Sequence, residues 1–157
     1  MKKASKKTKK TVIVAVSGFF NPLHVGHLEM IEQAKKLGDR LVVIVNNDRQ
    51  VKLKGRVMFM PEADRVKIIS ALKDVDEVVL SVDKDLTVCK SLAKVRPSIF
   101  ANGGDRFSLK NVPEYPVCES LGIKMVDGLG KKIRASSEMI AKAAKNNPIV
   151  RKTMAAK

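Results

Sequence analysis

Two histidines three residues apart are the side chains of this sequence best suited to chemistry. His24 and His27 are its only histidines, and they lie in the run SGFFNPLHVGH over residues 17–27. At the start of a helix, a spacing of three places both on one face, where free N–H groups and the positive dipole end also point. Gly26, between them, lets a ligand approach the backbone closely. The spacing therefore predicts a phosphate-binding site.

A strand before this run and a helix after it must position the histidines. Residues 11–16 read TVIVAV, a short β-branched run typical of a buried parallel strand. Residues from 28 onward favour an amphipathic helix, and two lysines followed by Gly38 predict its end. We therefore expect the histidines at a strand-to-helix turn.

The same alternation of strand and helix continues along the chain. Further strands are predicted over 40–46, 75–80, 97–101 and 123–126, helices from 61, over 86–95, 113–121 and 136–145, and a polar loop over 47–60. This alternation predicts a parallel sheet covered on both faces. We expect an α/β fold, a single-domain Rossmann-like α/β/α sandwich with a five-stranded parallel sheet. Its ligands should lie beyond the carboxyl ends of the strands, where the strand order switches.

Composition narrows the class of protein. A chain of 157 residues, 45% hydrophobic, is long enough for one buried core and too short for two ordinary domains. Cys89 and Cys118 lie far apart without a CxxC pattern, so neither a disulfide framework nor a zinc site is indicated, and no metal ligands are assigned. No apolar run reaches the roughly 20 residues of a membrane span, and no signal peptide is evident. We expect a cytoplasmic protein without a membrane partner.

Positive charge is concentrated at the two ends of the chain. Of a formal net charge of +15, six lysines fall in residues 1–10, and residues 145–157 carry four cations and no acid. We expect a disordered Lys-rich tail over 1–10, the catalytic domain over 11–145 and a basic tail over 146–157. A solvated tail is the plainer interpretation, and nucleic-acid binding by it is the less favoured alternative. The charge left in the core suits polyanionic substrates.

Residues 18–27, GFFNPLHVGH, resemble the signature G-x-F-[DN]-x-x-H-x-G-H of the cytidylyltransferase-like nucleotidyltransferases. The resemblance implies transfer of a nucleoside monophosphate from ATP or CTP, with Mg²⁺, to a phosphorylated small molecule, and release of pyrophosphate. It implies that both histidines donate hydrogen bonds to the phosphates. The implied nucleotide-binding residues of this run are Gly18, Phe19, Phe20 and Gly26.

The middle of the chain carries a second part of the resemblance. Residues 46–55 resemble the family's stretch N-x-D followed by K-G, which implies that Lys54, with Lys52 second, closes over the phosphates. Arg65 matches an arginine that contacts the acceptor's phosphate in relatives. From the residues alone, a solvated lysine pair and a surface ion pair on a helix remain alternatives.

Two later segments complete the resemblance, which covers about residues 11–142. Residues 100–106, FANGGDR, resemble a G-G-D turn that holds ribose and base, which assigns Asn102, Gly103 and Asp105 to the nucleotide. Residues 131–138, KKIRASSE, resemble the motif before the last helix, where Ser136 and Ser137 would help hold the β- and γ-phosphates. A simple turn and ordinary helix capping are the alternatives.

Within the family, these segments are most similar to heptose-1-phosphate adenylyltransferases and glycerol-3-phosphate cytidylyltransferases. The resulting hypothesis is transfer of CMP or AMP to a phosphorylated sugar or polyol by a homodimer, since small relatives are commonly dimers. One alternative is an FAD synthetase or another mononucleotide adenylyltransferase. The other is a non-catalytic protein that binds nucleotides or nucleic acid.

Overall fold

The computed structural model describes residues 8–103, 109–130 and 134–146. In these residues the strands are β1 Ile13–Gly18, β2 Arg40–Val45, β3 Glu77–Leu80, β4 Ile99–Gly103 and β5 Lys124–Leu129. The α-helices are α1 Val25–Lys35, α2 Asp48–Leu53, α3 Glu62–Ser70, α4 Cys89–Val95, α5 Tyr115–Leu121 and α6 Ser136–Asn146, with a 3₁₀ turn at Leu109–Asn111. Most of the expected N-terminal tail and nearly all of the C-terminal one lie outside the described residues.

The five strands form one parallel sheet in the order β3-β2-β1-β4-β5. From β1 the chain moves outward through β2 to β3, and then returns to place β4 on the other side of β1. In register, Val14 faces Leu41 of β2 and Ile99 of β4. The expected α/β fold is confirmed, and the strand order switches between β1 and β4, which is where such sheets bind ligands.

The core has an apolar layer on each face of the sheet. One layer joins Val14, Val16 and Val43 to the buried side of α1, and the other joins Ala15 and Ile44 to α4 and α5. This follows from the alternation of side chains along a strand, and a run of β-branched residues suits a strand that is covered on both sides. Because β1 is buried on both faces, the end from which the histidine loop leaves is firmly held.

One helix lies where the sequence predicts a loop. The polar loop expected over 47–60 begins instead with α2, because Asn47 and Gln50 cap it reciprocally. The Gln50 N–H donates to Asn47 Oδ1 at 3.0 Å, and the Asn47 N–H donates to Gln50 Oε1 at 3.0 Å. The helix has six residues and carries Lys52 in its last turn, so it sets where the lysine pair lies.

The longest described helices, α1 and α6, have 11 residues each. None of the helices in the described ranges has the length and apolar character needed to cross a bilayer.

Candidate active site

The loop from β1 to α1 is shaped by a glycine and a phenylalanine. Phe20 has a left-handed backbone with φ of 50°, which turns its buried ring back over Gly18. A Cβ at position 18 would lie 2.9 Å from Phe20 Cζ, so only glycine fits beneath the ring. The spacing of Gly18 and Phe20 in the sequence is thus a packing requirement of this loop.

The two histidines lie at the start of α1 with their rings stacked. His24 is the N-cap residue and His27 is the third residue of the helix. The ring centroids are 3.8 Å apart with an angle of 20° between planes, and Phe20 meets the His27 ring edge-on at 5.0 Å. The His24 backbone N–H donates to His27 Nδ1 at 3.2 Å. A neutral His27 therefore carries its proton on Nε2, which is left to donate to a ligand.

Both histidines are held in their neutral form at pH 7. Burial, and then the charge of His24, lowers the pKa of His27 to about 4. Burial, and then the charge of Arg134, lowers the pKa of His24. Without a ligand the pair therefore offers N–H donors rather than cations, and helix ends and neighbouring Lys and Arg contribute the positive potential.

The N-terminus of α6 meets the N-terminus of α1. The Ser136 hydroxyl is buried and donates to Pro22 O at 2.8 Å. A Cβ at Gly26 would lie 3.2 Å from the His24 ring and 3.9 Å from the Arg134 backbone N, which shows how closely the two segments approach. Two helix ends converge beside the histidines, each with a positive dipole and with first-turn N–H groups that have no acceptor within the helix, which is a favourable arrangement for phosphates.

The two serines predicted to hold phosphate, Ser136 and Ser137, differ in their surroundings. The Ser136 hydroxyl proton is donated to the Pro22 carbonyl, which ties α6 to the histidine loop, and its contact with phosphate stays a prediction. Ser137, one residue further, is exposed at the helix start. Arg134 was not singled out from the sequence, and its only signal was a place among the cations before α6. Its effect on the pKa of His24 places its charge at the site.

Asn21 fixes the segment that follows α2 to the histidine loop. Its side chain is fully buried, and Nδ2 donates to Val57 O at 2.7 Å. Its Oδ1 accepts from the N–H groups of Phe59 and Met60 at 2.8 and 2.9 Å. All of these bonds go to backbone atoms of the segment. Asn21 therefore sets the path of the segment's backbone independently of the side chains that the segment carries.

Arg65 lies inside the protein rather than open to a substrate. Its side chain is 0% exposed, and it donates from Nε to Met60 O at 3.0 Å and from Nη1 to Phe19 O and Asn46 O at 2.8 and 2.6 Å. Nη2 pairs with Asp48 Oδ1 at 2.8 Å. The guanidinium thus joins the ends of β1 and β2 to the start of α3. Its expected contact with the acceptor's phosphate stays a prediction.

The lysine segment reaches the histidine loop through Phe19. Lys54 Nζ lies 6.0 Å from the centre of the Phe19 ring, and Arg56 Cζ lies 5.6 Å from it. Cations at this distance are attracted to the face of an aromatic ring. Lys52 is exposed in the last turn of α2. Arg56, which sequence reasoning did not select, therefore joins Lys54 at this edge of the site.

The end of β4 lies on the other side of the switch point. Asn102 is buried, and its Nδ2 has no hydrogen-bond partner among the described residues. A buried donor without an acceptor costs about 1–3 kcal/mol, so an arriving ligand oxygen would relieve that cost. Gly103 is the last residue of the strand, and Asp105, expected to bind the nucleotide with them, lies outside the described residues. The described residues contain no cluster of three or more His, Cys, Asp or Glu placed to hold a metal ion.

Comparison with known proteins places the chain among nucleotidyltransferases. A family model described as cytidylyltransferase-like matches residues 3–150. An FAD synthase of Pyrococcus abyssi is 36% identical over 135 residues, which span 82% of this chain and 89% of that protein. Further FAD synthases match at 37–42% identity, and the matched parts span 59–77% of their length.

The chain is also similar to a bifunctional protein and to a protein of known crystal structure. The bifunctional protein HldE of Koribacter versatilis is 40% identical over 124 residues, which are 78% of this chain but 23% of that protein. The crystal structure of the lipopolysaccharide core biosynthesis protein from Thermoplasma volcanium resembles the chain with a TM-score of 0.69 at 30% identity. That similarity covers 78% of this chain and 99% of the other.

Proposed function

The chain belongs to the cytidylyltransferase-like family of nucleotidyltransferases, and we propose that it transfers AMP from ATP to the phosphate of FMN. The products would be FAD and pyrophosphate. FAD synthases matched at 36–42% identity support this acceptor. The proposal thus takes the FAD synthetase alternative in place of the phosphorylated sugar or polyol that the sequence predicts first as the acceptor. A cytoplasmic location and a homodimer stay predictions.

The observation that carries the proposed chemistry is the neutral histidine pair where two helix N-termini meet. An oxygen of the FMN phosphate would attack the α-phosphorus of ATP in line with the bond to the bridging oxygen of the β-phosphate. That bond breaks, and its electron pair leaves with pyrophosphate. Because the attacking oxygen is already an anion, no protein base has to remove a proton. The protein must instead align the reactants and stabilise the charge that spreads over the phosphoryl oxygens.

In the proposed reaction, the histidines and the residues around them would each bind a different part of the substrates. His27 Nε2–H and His24 would donate to the phosphates of ATP, and the N–H groups at the starts of α1 and α6 would hold the leaving pyrophosphate. Arg134 and Lys54 would supply the positive charge that the neutral histidines do not. Mg²⁺ would enter with the triphosphate, whose oxygens are the ligands it prefers. Asn102, with its buried donor, would hold ribose or base.

The test is pyrophosphate release from ATP and from CTP with FMN, heptose 1-phosphate and glycerol 3-phosphate as acceptors. The expected result is FAD from ATP and FMN, with CTP and the other acceptors turned over at least tenfold more slowly. A variant carrying both His24→Ala and His27→Ala is the control, and it should lose the activity. Turnover of a different pair of substrates, or full activity of the double variant, would contradict the proposal.

A second candidate is transfer of AMP to a sugar 1-phosphate, and the match to HldE over 78% of this chain favours it. The same site would serve, since both acceptors present a phosphate monoester. The panel above separates the two candidates directly.

A further inference from the structure

Phe59 is a large apolar side chain held in water beside the site. It is 61% exposed, the highest fraction among the large exposed hydrophobic residues of the described chain and the one aromatic ring among them. Single exposed hydrophobic residues are common on protein surfaces and need no explanation by themselves. What singles out Phe59 is how its backbone is anchored and which residues lie near it along the chain.

The backbone of Phe59 is bound to the histidine loop. Its N–H donates to Asn21 Oδ1 at 2.8 Å, and the next residue, Met60, is held both by Asn21 Oδ1 and by Arg65 Nε. Asn21 and Arg65 are both fully buried. The held backbone fixes the position from which the exposed ring projects, so less entropy is lost when a ligand stacks on it than on a loop that also moves.

The stretch from Leu53 to Phe59 carries both apolar and positively charged side chains. Leu53, at the end of α2, and Val25, which directly follows His24, are also exposed. Lys54 and Arg56, on the segment that leads to Phe59, lie over the Phe19 ring of the histidine loop. An acceptor with a phosphate at one end and a planar apolar ring at the other fits this pattern, whereas a simple sugar phosphate has no ring system for the phenyl group to cover.

We propose that Phe59 is the stacking platform for the isoalloxazine ring of FMN and thereby determines which acceptor the enzyme prefers. This inference rests on the proposed function. The ring stacks on Phe59 while the ribityl chain carries the phosphate toward the cations and the histidines. Offset stacking of two aromatic systems is favourable beyond the area that it buries, and the apolar ring also leaves water.

The test compares four proteins: unaltered, Phe59→Ala, Phe59→Tyr and Leu86→Ala. Leu86 is 49% exposed on the loop before α4, so its variant controls for removing an exposed apolar side chain elsewhere. The Kd for FMN is measured by equilibrium dialysis with α,β-methylene-ATP present, which cannot transfer AMP, and KM is measured for FMN and for ATP.

We expect Phe59→Ala to raise the Kd and the KM for FMN about tenfold while the KM for ATP stays within twofold. Phe59→Tyr should restore tight binding because it keeps the ring, and Leu86→Ala should match the unaltered protein. Equal affinity for FMN in the Phe59→Ala and unaltered proteins would overturn the inference.

The same experiment separates failure of the platform from failure of the proposed reaction. If the unaltered protein forms no FAD yet binds FMN in a way that depends on Phe59, the reaction is wrong and the platform stands. If it forms FAD and Phe59→Ala is indistinguishable from it, the platform is wrong and the reaction stands. If FMN does not bind at all, both are overturned.

Discussion

The backbone N–H of His24 donates a hydrogen bond to Nδ1 of His27 at 3.2 Å, so one histidine fixes where the other carries its proton. The proton of neutral His27 is then on Nε2, on the side of the ring left for a ligand. Its lowered pKa, about 4, keeps the ring in this form at pH 7. The spacing of the two histidines thus fixes the tautomer of His27 and also places both rings on the same face of the helix.

The first prediction concerns the Nε2–H donor. In His27→Asn, the amide oxygen can replace Nδ1 as the acceptor for the His24 N–H, but no group replaces Nε2–H. We expect kcat to fall about 10²–10³-fold, the usual cost of removing one donor that stabilises transition-state charge. The free energy of unfolding should change by less than about 1 kcal/mol. Steady-state kinetics and urea unfolding measure the two effects, and a variant as fast as the unaltered protein would exclude this role.

The second prediction is a loss of stability in acid. The pKa of His27 is about 4 in the folded protein against an ordinary value of 6.5, so between these values the unfolded chain binds more protons than the folded one. The free energy of unfolding is therefore fully retained above about pH 6.5 and decreases as the pH falls toward 4, by on the order of 2 kcal/mol.

Urea titrations at neutral pH and at about pH 4.5 measure this difference. It should be smaller in His27→Asn, with a remainder from His24, whose pKa is also lowered. An equal difference in both proteins would show that His27 does not contribute to it.

The third prediction separates two glycines by what lies beside them. At Gly26 a Cβ would press on the His24 ring at 3.2 Å, whereas at Gly38 it would meet Val12 O and the Val14 side chain at 2.7 Å. Gly26→Ala should lower kcat by at least tenfold and leave stability unchanged or slightly raised, because alanine favours a helix. Gly38→Ala should cost about 1–3 kcal/mol of stability and leave kcat unchanged. The opposite assignment, with activity lost at Gly38 alone, would contradict the described site.

The fourth prediction tests Arg65 as a positioning residue. Arg65→Lys cannot supply all the donors that now reach three backbone carbonyls and Asp48, so it should lose about 3–5 kcal/mol of stability. The matched control is Arg40→Lys, at a half-exposed pair with Glu77, which should cost less than about 1 kcal/mol. If Arg65 instead acts by binding the acceptor's phosphate, the KM for the acceptor rises while the unfolding curve stays in place.

The order of strands and helices could be predicted because each element carries a strong local pattern. The β-branched runs over 11–16 and 40–46 suit strands buried on both faces, and they became β1 and β2. The short helix α2 was missed because six residues carry little periodicity, although the Asn47 and Gln50 spacing that caps it could have been recognised. For a helix this short, the capping residues are a better sequence signal than the hydrophobic periodicity.

Side-chain environments could be predicted much less well than elements. An arginine at the start of a helix has the same sequence signature on the surface and in the interior, and the burial of Arg65 depends on carbonyls from three separate segments. Arg56 and Arg134 were overlooked because they lie among other cations, and their proximity to Phe19 and His24 arises only in the folded chain. The environment of the histidine pair could be predicted, because the residue type and the spacing of three together indicated a shared face at the start of a helix.

Transfer of AMP to FMN is tested by following the phosphorus atoms of ATP in the presence of FMN. With ATP labelled at its α-phosphate, we predict that the label appears in FAD, and with ATP labelled at its γ-phosphate, that it appears in pyrophosphate. Both transfers should be lost in the protein that carries His24→Ala and His27→Ala. Label that remains in ATP, or label that is released as inorganic phosphate from the γ position, would contradict this reaction. Equal transfer by the double variant would contradict the role of the histidines.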